Sequence, residues 1–203
     1  MSDRPQDHFG RRARREGFAA RSVFKLEDID RRVKLLAPGK RVLDLGAYPG
    51  SWTSYAAQRV GERGRVLGID KTEFRGTLPA WAEMRTGDAL TLDLARELGA
   101  GSFDVVLSDM APSTSGHKFL DQARSFDLFS RALAVAQAVL MPGGHFVGKI
   151  FVGGDFDIAK KEVHRVFEDT KIIKPPASRS ESYETFLVGL RRRAVIKDAP
   201  PRV

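Results

Sequence analysis

Residues 41–60 carry the strongest structural pattern in the chain and read RVLDLGAYPG SWTSYAAQRV. The first six residues form a short run of strand-forming residues, and a turn containing Gly46, Pro49 and Gly50 follows. The last ten residues have apolar side chains at helical spacing. The stretch therefore predicts a strand, a ligand-sized loop and a helix, which together are the first unit of an α/β sheet.

The same alternation continues along the chain. RVLGID (65–70), FDVVLSDMAP (103–112) and HFVGKIFV (145–152) predict strands, a further strand precedes Asp88, and residues 120–140 and 158–167 predict helices. Continuous apolar strands separated by helices are typical of a parallel sheet covered on both faces. KIIKPP and YETFLVGL predict two more strands joined by a loop at 177–182. We therefore expect a Rossmann-like, doubly wound α/β fold with a mostly parallel seven-stranded sheet.

A helix is also predicted before this unit, and the charge of the chain is concentrated outside the sheet. RSVFKLEDIDRRVKLL predicts a helix that begins after Ser22 and is closed by residues 37–39. The net charge of +8 comes entirely from residues 1–21 and 171–203, because residues 22–170 hold equal numbers of acidic and basic side chains. We expect a basic N-terminal arm (1–21), one domain (22–190) and a basic C-terminal tail (191–203). Cationic ends suit a nucleic acid partner, although they could also act only as solubilising tails.

Composition excludes several classes of site. The chain has no cysteine, which removes disulfides, thiolate metal sites and cysteine nucleophiles, and its four histidines lack metal-ligand spacing. No apolar run approaches the roughly 20 residues that span a bilayer, and the N-terminal residues are polar. We therefore expect a cytoplasmic protein, a monomer, without a metal site or a membrane partner.

The loop after the first strand predicts a nucleotide-like ligand. Ligands of open α/β sheets bind beyond the carboxyl ends of the strands, where Gly46 and Gly50 allow close approach of the backbone. Asp70 ends the next strand, where it can accept hydrogen bonds from ribose hydroxyls. NAD is one alternative, but the glycine spacing is G-x-x-x-G and Pro49 removes an amide. S-adenosylmethionine fits better, with Asp44 near its ammonium group.

Asp88 is the second carboxylate that this ligand could use. It follows the predicted third strand in the sequence TGD. From there it could accept a hydrogen bond from the adenine amino group, although it could equally be a helix N-cap.

Five segments together resemble one family. They are RSVFKL (21–26), VLDLGAYPGSW (42–52), SDMAP (108–112), PGGHFVGK (142–149) and KPPASR (174–179). With them the chain resembles the FtsJ/RrmJ (RlmE) family of large-subunit ribosomal RNA 2′-O-ribose methyltransferases. The resemblance implies the S-adenosylmethionine-dependent methyltransferase fold, with methyl transfer to a ribose, expected to be a uridine, in 23S ribosomal RNA within the large ribosomal subunit.

The resemblance also implies site residues. The family's catalytic tetrad corresponds to Lys25, Asp109, Lys149 and Glu184, and its cofactor contacts to Gly50, Trp52, Asp70, Asp88 and Asp109, beside Asp44 and Gly46 from the loop. The predicted RNA contacts are Arg11, Arg12, Arg14, Arg15, Arg21 and Arg179. The chain departs from the family at Tyr48, Ser51 and Phe186, where a small residue, a glycine and a tyrosine are usual; none of these changes removes a catalytic group.

The chemistry of a ribose hydroxyl suits this tetrad. The hydroxyl is a very weak acid, so its proton must be removed as the new bond forms. A lysine can do this only when neutral, and a second ammonium nearby favours the neutral form. Lys149, in a buried strand, is predicted to be the base, with Lys25 and Asp109 orienting it. Because Asp109 and Glu184 favour the charged form, the sequence leaves the protonation of Lys149 open.

Three other functions stay open. A transfer RNA ribose methyltransferase would share the tetrad, a non-catalytic RNA-binding assembly factor would share the fold, and a nicotinamide dehydrogenase would share the loop. Base methylation is disfavoured, because the chain has no cysteine and Asp109-Met-Ala-Pro stands where an Asn- or Asp-Pro-Pro-aromatic motif would be expected.

Overall fold

The computed structural model describes residues 7–91, 93–178 and 182–194. Its helices are α1 (Asp7–Arg15), α2 (Val23–Val33), α3 (Ser51–Val60), α4 (Leu94–Leu98), α5 (Lys118–Val139) and α6 (Phe156–Val166). Its strands are β1 (Arg41–Leu45), β2 (Arg65–Asp70), β3 (Ala82–Thr86), β4 (Phe103–Ser108), β5 (Leu140–Phe151), β6 (Phe167–Ile173) and β7 (Glu184–Arg192).

The strands form one seven-stranded sheet in the order β3-β2-β1-β4-β5-β7-β6. All neighbouring pairs are parallel except those of β7, which runs antiparallel to β5 and to β6. The strand order reverses at β1, whose neighbours are β2 and β4, so a crevice forms beyond the carboxyl end of β1. The predicted doubly wound, mostly parallel sheet is confirmed.

Alternating side chains of β1 place the hydrophobic core on both faces of the sheet. Leu43 and Leu45 pack in one buried cluster with residues of α5 and α6. Val42 points to the other face, where a second cluster contains residues of α2 and α3. Burial on both faces explains why β1 and β4 read as continuous apolar runs. It also holds the loops at their carboxyl ends on a rigid base.

Helix α2 ends earlier than the sequence predicts. The apolar pattern extends to Leu36, but the helix ends at Val33, because Lys34 adopts a left-handed conformation with φ of 53°. Its amide donates to the Asp30 carbonyl at 2.7 Å, which closes the helix. Leu35 and Leu36 are buried all the same, so the sequence pattern reports their burial and not their helicity.

Part of the predicted N-terminal arm is a helix that packs against the domain. In α1, Ala13 is buried and the ring of Phe9 lies 5.7 Å from that of Phe24. The Arg12 guanidinium lies 4.1 Å from the centroid of the Phe24 ring, and it pairs with Glu27 at 3.1 Å. The described part of the arm is thereby anchored on α2. No helix among the described residues has both the length and the apolar character needed to cross a membrane.

Candidate active site

A cavity of about 800 Å³ opens at the carboxyl ends of β1, β2 and β4. Its volume suits a nucleoside-sized ligand. Four of the residues predicted to bind a cofactor line it: Gly46, Asp70, Asp88 and Asp109. Sequence reasoning gave no role to several other lining residues, among them Lys71, Arg124 and Asp127, since they come from a loop and from α5 without any motif of their own.

The two glycines of the first loop are needed for different reasons. Gly46 has a φ of 75°, and a Cβ there would meet the Met110 side chain. Gly50 has a φ of 93° at the start of α3, where a Cβ would lie 2.8 Å from the Phe74 ring. Both positions therefore require glycine. Gly46 lines the cavity, whereas Gly50 is buried and allows the turn that leads into α3.

Asp70 holds the loops of the cavity as well as facing it. Its Oδ2 accepts a hydrogen bond from the Tyr48 amide at 3.0 Å, and its Oδ1 accepts one from the Thr72 amide at 2.8 Å. A carboxylate oxygen can accept more than one hydrogen bond, so both oxygens keep capacity for a ligand hydroxyl.

Asp88 has two partners of its own. Its Oδ1 accepts from the Leu90 amide at 2.8 Å, and its Oδ2 lies 3.0 Å from the Lys71 ammonium. Asp88 is not the N-cap of a helix, which the sequence had left open, because the next helix, α4, begins only at Leu94. Asp88 instead holds a turn at the rim of the cavity.

Asp44 is fully buried, and only one of its two carboxylate oxygens has a hydrogen-bond partner. Its Oδ2 accepts a hydrogen bond from the Thr53 hydroxyl at 2.7 Å, while its Oδ1 has no hydrogen-bond partner. Burial raises the pKa of Asp44 to about 7, with the negative charges of Asp109 and Asp70 acting in the same direction. A buried carboxylate with an unmatched oxygen is suited to receive a cationic ligand group.

Lys149 and Asp109 form a buried ion pair beside the cavity. The Lys149 Nζ lies 2.9 Å from Asp109 Oδ1 and also donates to the Asp109 backbone carbonyl. Only 6% of the Lys149 side chain is exposed. Separating the two groups of a buried ion pair would leave each charge without a partner, which is costly. The pair therefore holds the Lys149 amine beside Asp109.

A second ion pair joins Lys25 and Glu184 at 2.6 Å. Burial would raise the pKa of Glu184, but the charges of Lys25 and Lys149 and the Ser178 hydroxyl, which donates to Oε1 at 2.9 Å, together hold that pKa below its ordinary value. Sequence reasoning missed Ser178, although it lies in the KPPASR signature.

The register of the sheet explains how these residues meet. β5 pairs with β7 so that Lys149 lies opposite Phe186 and Phe151 lies opposite Glu184. Directly opposed residues share a face, as do alternate residues of one strand, so Lys149 and Glu184 project from the same face. The Lys25 ammonium lies 5.9 Å from the centroid of the Phe186 ring on that face. All four residues of the predicted tetrad are thus brought together.

Trp52 lies behind this cluster and does not line the cavity. It is 3% exposed, its ring lies 5.7 Å from that of Phe186, and its Nε1 donates to the Ser22 carbonyl at 2.8 Å. Its predicted cofactor contact stays a prediction, as do those of Asp44 and Gly50, which are likewise buried and do not line the cavity. Its contacts support the start of α2, which carries Lys25.

The predicted RNA-binding arginines are in different situations. Arg11, Arg14 and Arg15 are exposed on α1, whereas Arg12 is engaged with Glu16, Glu27 and Phe24. Arg21 is half-buried at the start of α2, and Arg179 lies outside the described residues.

Comparison with known proteins identifies the family. The model of the FtsJ-like methyltransferases matches residues 18–192. The chain belongs to the FtsJ-like methyltransferase family. As a member of this family it is a methyltransferase that uses S-adenosylmethionine.

The chain is similar to two curated bacterial FtsJ-like methyltransferases over nearly its whole length. Both are named ribosomal RNA large subunit methyltransferase E. The protein of Sorangium cellulosum is 52% identical, with 94% of this chain and 90% of that protein aligned. The protein of Syntrophobacter fumaroxidans is 47% identical, with 95% of this chain and 99% of that protein aligned.

Two solved structures share the fold. A ribosomal RNA methyltransferase from Plasmodium falciparum superposes with a TM-score of 0.75 at 23% identity, over 86% of this chain and 98% of that one. Fibrillarin from Aeropyrum pernix, crystallised with S-adenosylmethionine, gives a TM-score of 0.54 at 17% identity, over 77% of this chain and 68% of that one.

The cavity of this FtsJ-like methyltransferase fits the charge of S-adenosylmethionine. Asp70, Asp88 and Asp109 line the cavity. The fully buried Asp44 lies in β1, between β2 and β4, and has one unmatched oxygen. S-adenosylmethionine carries an ammonium and a sulfonium, which such a cluster attracts. The pyrophosphate of a nicotinamide dinucleotide is anionic and suits this cavity less, because four carboxylates (Asp70, Asp88, Asp109 and Asp127) line it against the two cations Lys71 and Arg124.

We predict that Asp44→Asn stabilises the cofactor-free protein at high pH. An unfolded Asp ionises near pH 4, but the folded pKa of Asp44 is about 7. Stability is therefore lost as pH rises from about 4 to about 7, and the loss persists above that range. Since Asn does not ionise, Asp44→Asn should gain on the order of 2–4 kcal/mol at pH 8.

Urea unfolding of the cofactor-free protein at pH 8 and at pH 4 measures this difference. The gain should shrink toward zero at pH 4, where Asp44 is protonated in the folded state and about half protonated in the unfolded state. Asp157→Asn, which changes an exposed carboxylate paired with Lys160, is the control and should show no such gain at pH 8. An equal difference between Asp44→Asn and the parent protein at both pH values would contradict the account.

Proposed function

We propose that this protein transfers a methyl group from S-adenosylmethionine to a ribose 2′-hydroxyl of 23S ribosomal RNA in the large ribosomal subunit, with a uridine as the target. The observation that carries the proposal is the pairing of Lys149 with Asp109 at the edge of the cavity, next to Lys25 and Glu184. The names of the two bacterial relatives support the choice of RNA. The proposal places the protein in the cytoplasm as a monomer.

Bound S-adenosylmethionine supplies an electrophilic methyl group on a sulfonium and leaves as a neutral thioether. The ribose hydroxyl that would accept this methyl group must lose its proton. Lys149 takes that proton on Nζ. Asp109 fixes the amine through an ion pair with its side chain and through a hydrogen bond that its backbone carbonyl accepts. The chemistry is thus a positioned proton removal combined with an in-line approach.

Lys25 and Glu184 position the substrate hydroxyl and the base. Their ion pair is largely buried, with side chains about a tenth exposed, and Glu184 is also held by Ser178. Lys149 can take the proton only when its amine is neutral at that moment, and this amine lies beside the cavity-lining Asp109.

We assign the cofactor contacts to the cavity. Asp44 receives the ammonium, Gly46 and Gly50 allow the loop to approach, Asp70 accepts from the ribose hydroxyls, and Asp88 lies on the adenine side. Asp109 is shared between cofactor and base. Because Asp70 already holds the Tyr48 and Thr72 amides, its replacement would also loosen these loops, and Asp70→Asn is a milder change than Asp70→Ala.

The basic N-terminal helix provides a docking surface for RNA phosphates in this proposal. Arg11, Arg14 and Arg15 lie exposed on α1, and α1 packs on Phe24, the residue before Lys25. A phosphate backbone bound by α1 would therefore lie on the side of the domain that carries Lys25. The contacts assigned to Arg12, Arg21 and Arg179 complete this surface in the proposal.

We predict that Lys149→Ala lowers turnover by roughly 10²-fold or more, the contribution of a positioned general base. Cofactor affinity should change little, because Lys149 does not line the cavity. Lys149→Met, which preserves side-chain volume, separates loss of the base from loss of packing. Single-turnover rates and calorimetry with S-adenosylmethionine measure the two quantities.

A modified RNA tests which atom accepts the methyl group. Substrate RNA with a single 2′-deoxy sugar at the target nucleotide should bind and accept no methyl group. Methyl transfer to this RNA would show that a base atom is the acceptor, and the proposal would have to be abandoned.

We predict that Arg14→Gln with Arg15→Gln reduces the salt dependence of RNA binding. Each phosphate contact contributes about 0.7–0.9 to the slope of log affinity against log salt, so the pair should lower its magnitude by about 1–2. Arg63→Gln with Arg65→Gln, exposed at the amino end of β2 on the opposite edge of the sheet, is the matched control. Equal slopes for the two double variants would show that α1 does not contact phosphates.

A further inference from the structure

Two aromatic side chains on the segments that follow β4 and precede β7 are exposed to an unusual degree. Phe119, in the first turn of α5, is 87% exposed, and Tyr183, directly before Glu184, is 52% exposed. Aromatic side chains are usually largely buried. Single exposed apolar residues are common, but two aromatic residues at the edge of one site indicate a binding surface.

Lys118 brings the first turn of α5, which carries Phe119, against Tyr183. Its ammonium lies 4.3 Å from the centroid of the Tyr183 ring, and it immediately precedes Phe119. We call Lys118, Phe119 and Tyr183 the aromatic rim. Two segments meet there: the loop that runs from Asp109 to α5, and the segment that enters β7 at Glu184. The rim therefore joins the loops of both ion pairs.

The backbone of the rim is held in place. The Tyr183 carbonyl accepts a hydrogen bond from the Val152 amide at 2.8 Å, and the Val152 carbonyl accepts one from Gln122 Nε2 at 2.6 Å. Gln122 belongs to α5, one turn after Lys118. The Tyr183 backbone is thus tied to the end of β5 and to α5, at the edge of the sheet where Glu184 enters β7. A ring carried on a fixed backbone loses less entropy on binding a ligand.

We infer that the aromatic rim stacks the base of a nucleotide adjacent to the methylated ribose, with Lys118 near its phosphate. The inference rests on the proposed function. Single-stranded RNA is recognised by stacking of splayed bases on aromatic side chains, and a neighbouring cation suits the phosphate. Tyr183 is covalently next to Glu184, whose carboxylate contacts Lys25, so a base held on the ring belongs to a nucleotide beside the target.

The rim would act mainly on substrate binding. Holding a flanking base restricts the motion of the target ribose before reaction, and this contact does not change as the methyl moves. A contact that is equal in the ground state and in the transition state alters KM and leaves kcat nearly constant. This separates the rim from Lys149, whose loss lowers kcat.

The experiment uses the full chain and a large-subunit ribosomal RNA fragment that the parent protein methylates. RNA affinity is measured with S-adenosylhomocysteine present, so that no turnover occurs. Tyr183→Leu and Phe119→Leu keep apolar bulk and remove the ring, and each should weaken binding roughly 5- to 100-fold. Tyr183→Phe, which keeps the ring, should restore most of the affinity. Circular dichroism establishes that each variant is folded.

A second arm identifies the RNA partner. Abasic nucleotides are placed singly on either side of the methylated position. At one of these positions, the abasic nucleotide should weaken binding by the parent protein about as much as Tyr183→Leu weakens binding of intact RNA. The Tyr183→Leu variant should bind this abasic RNA nearly as well as it binds intact RNA. The inference would be overturned if, at both positions, the loss from the abasic nucleotide multiplied with the loss from Tyr183→Leu. It would also be overturned if both leucine variants bound RNA like the parent protein, and the rim would then be a surface for contact with a protein.

The two proposals fail differently. If the parent protein transfers no methyl group to the RNA, the proposed function is wrong. If it methylates the ribose while both leucine variants bind like the parent, only the aromatic rim is wrong.

Discussion

The ion pair between Lys149 and Asp109 is the interaction on which the site depends. A lysine in the middle of a buried strand is costly unless its ammonium or amine has partners. Asp109 provides these partners from the end of β4, the strand beside β5, at 2.9 Å. The same aspartate lines the cavity, so the pair connects the base directly to the cofactor side. The sheet order, which makes β4 and β5 neighbours, is therefore what permits the chemistry.

The fold was largely predictable because its strands are buried on both faces. β1, β4 and β5 appear in the sequence as continuous apolar runs, and Asp44, Asp70 and Asp109 are polar exceptions at or just after strand ends. Such positions lie at one edge of a parallel sheet, so their convergence follows from topology. The tetrad needed more than this pattern. Lys25 and Glu184 look like ordinary surface residues in sequence, and only the family resemblance selected them.

Three features were beyond the sequence for physical reasons. Helix α1 has few apolar residues, and its packing depends on Phe24 in another helix, which no local pattern reports. Trp52 lies in a loop motif that suggests ligand contact, yet the antiparallel placement of β7 puts Phe186 beneath it and draws it into the core. The aromatic rim unites Lys118 with Tyr183 across 65 positions of sequence, and no spacing rule predicts such a contact.

The central claim is that the acceptor is a ribose hydroxyl of large-subunit ribosomal RNA. The most direct measurement is nucleoside mass spectrometry of that RNA after incubation with the purified protein and S-adenosylmethionine labelled in its methyl group. The account predicts the label in a single 2′-O-methylated uridine, with the methyl on the sugar fragment. Label on a base fragment, or no label in this RNA while transfer RNA is methylated, would contradict it.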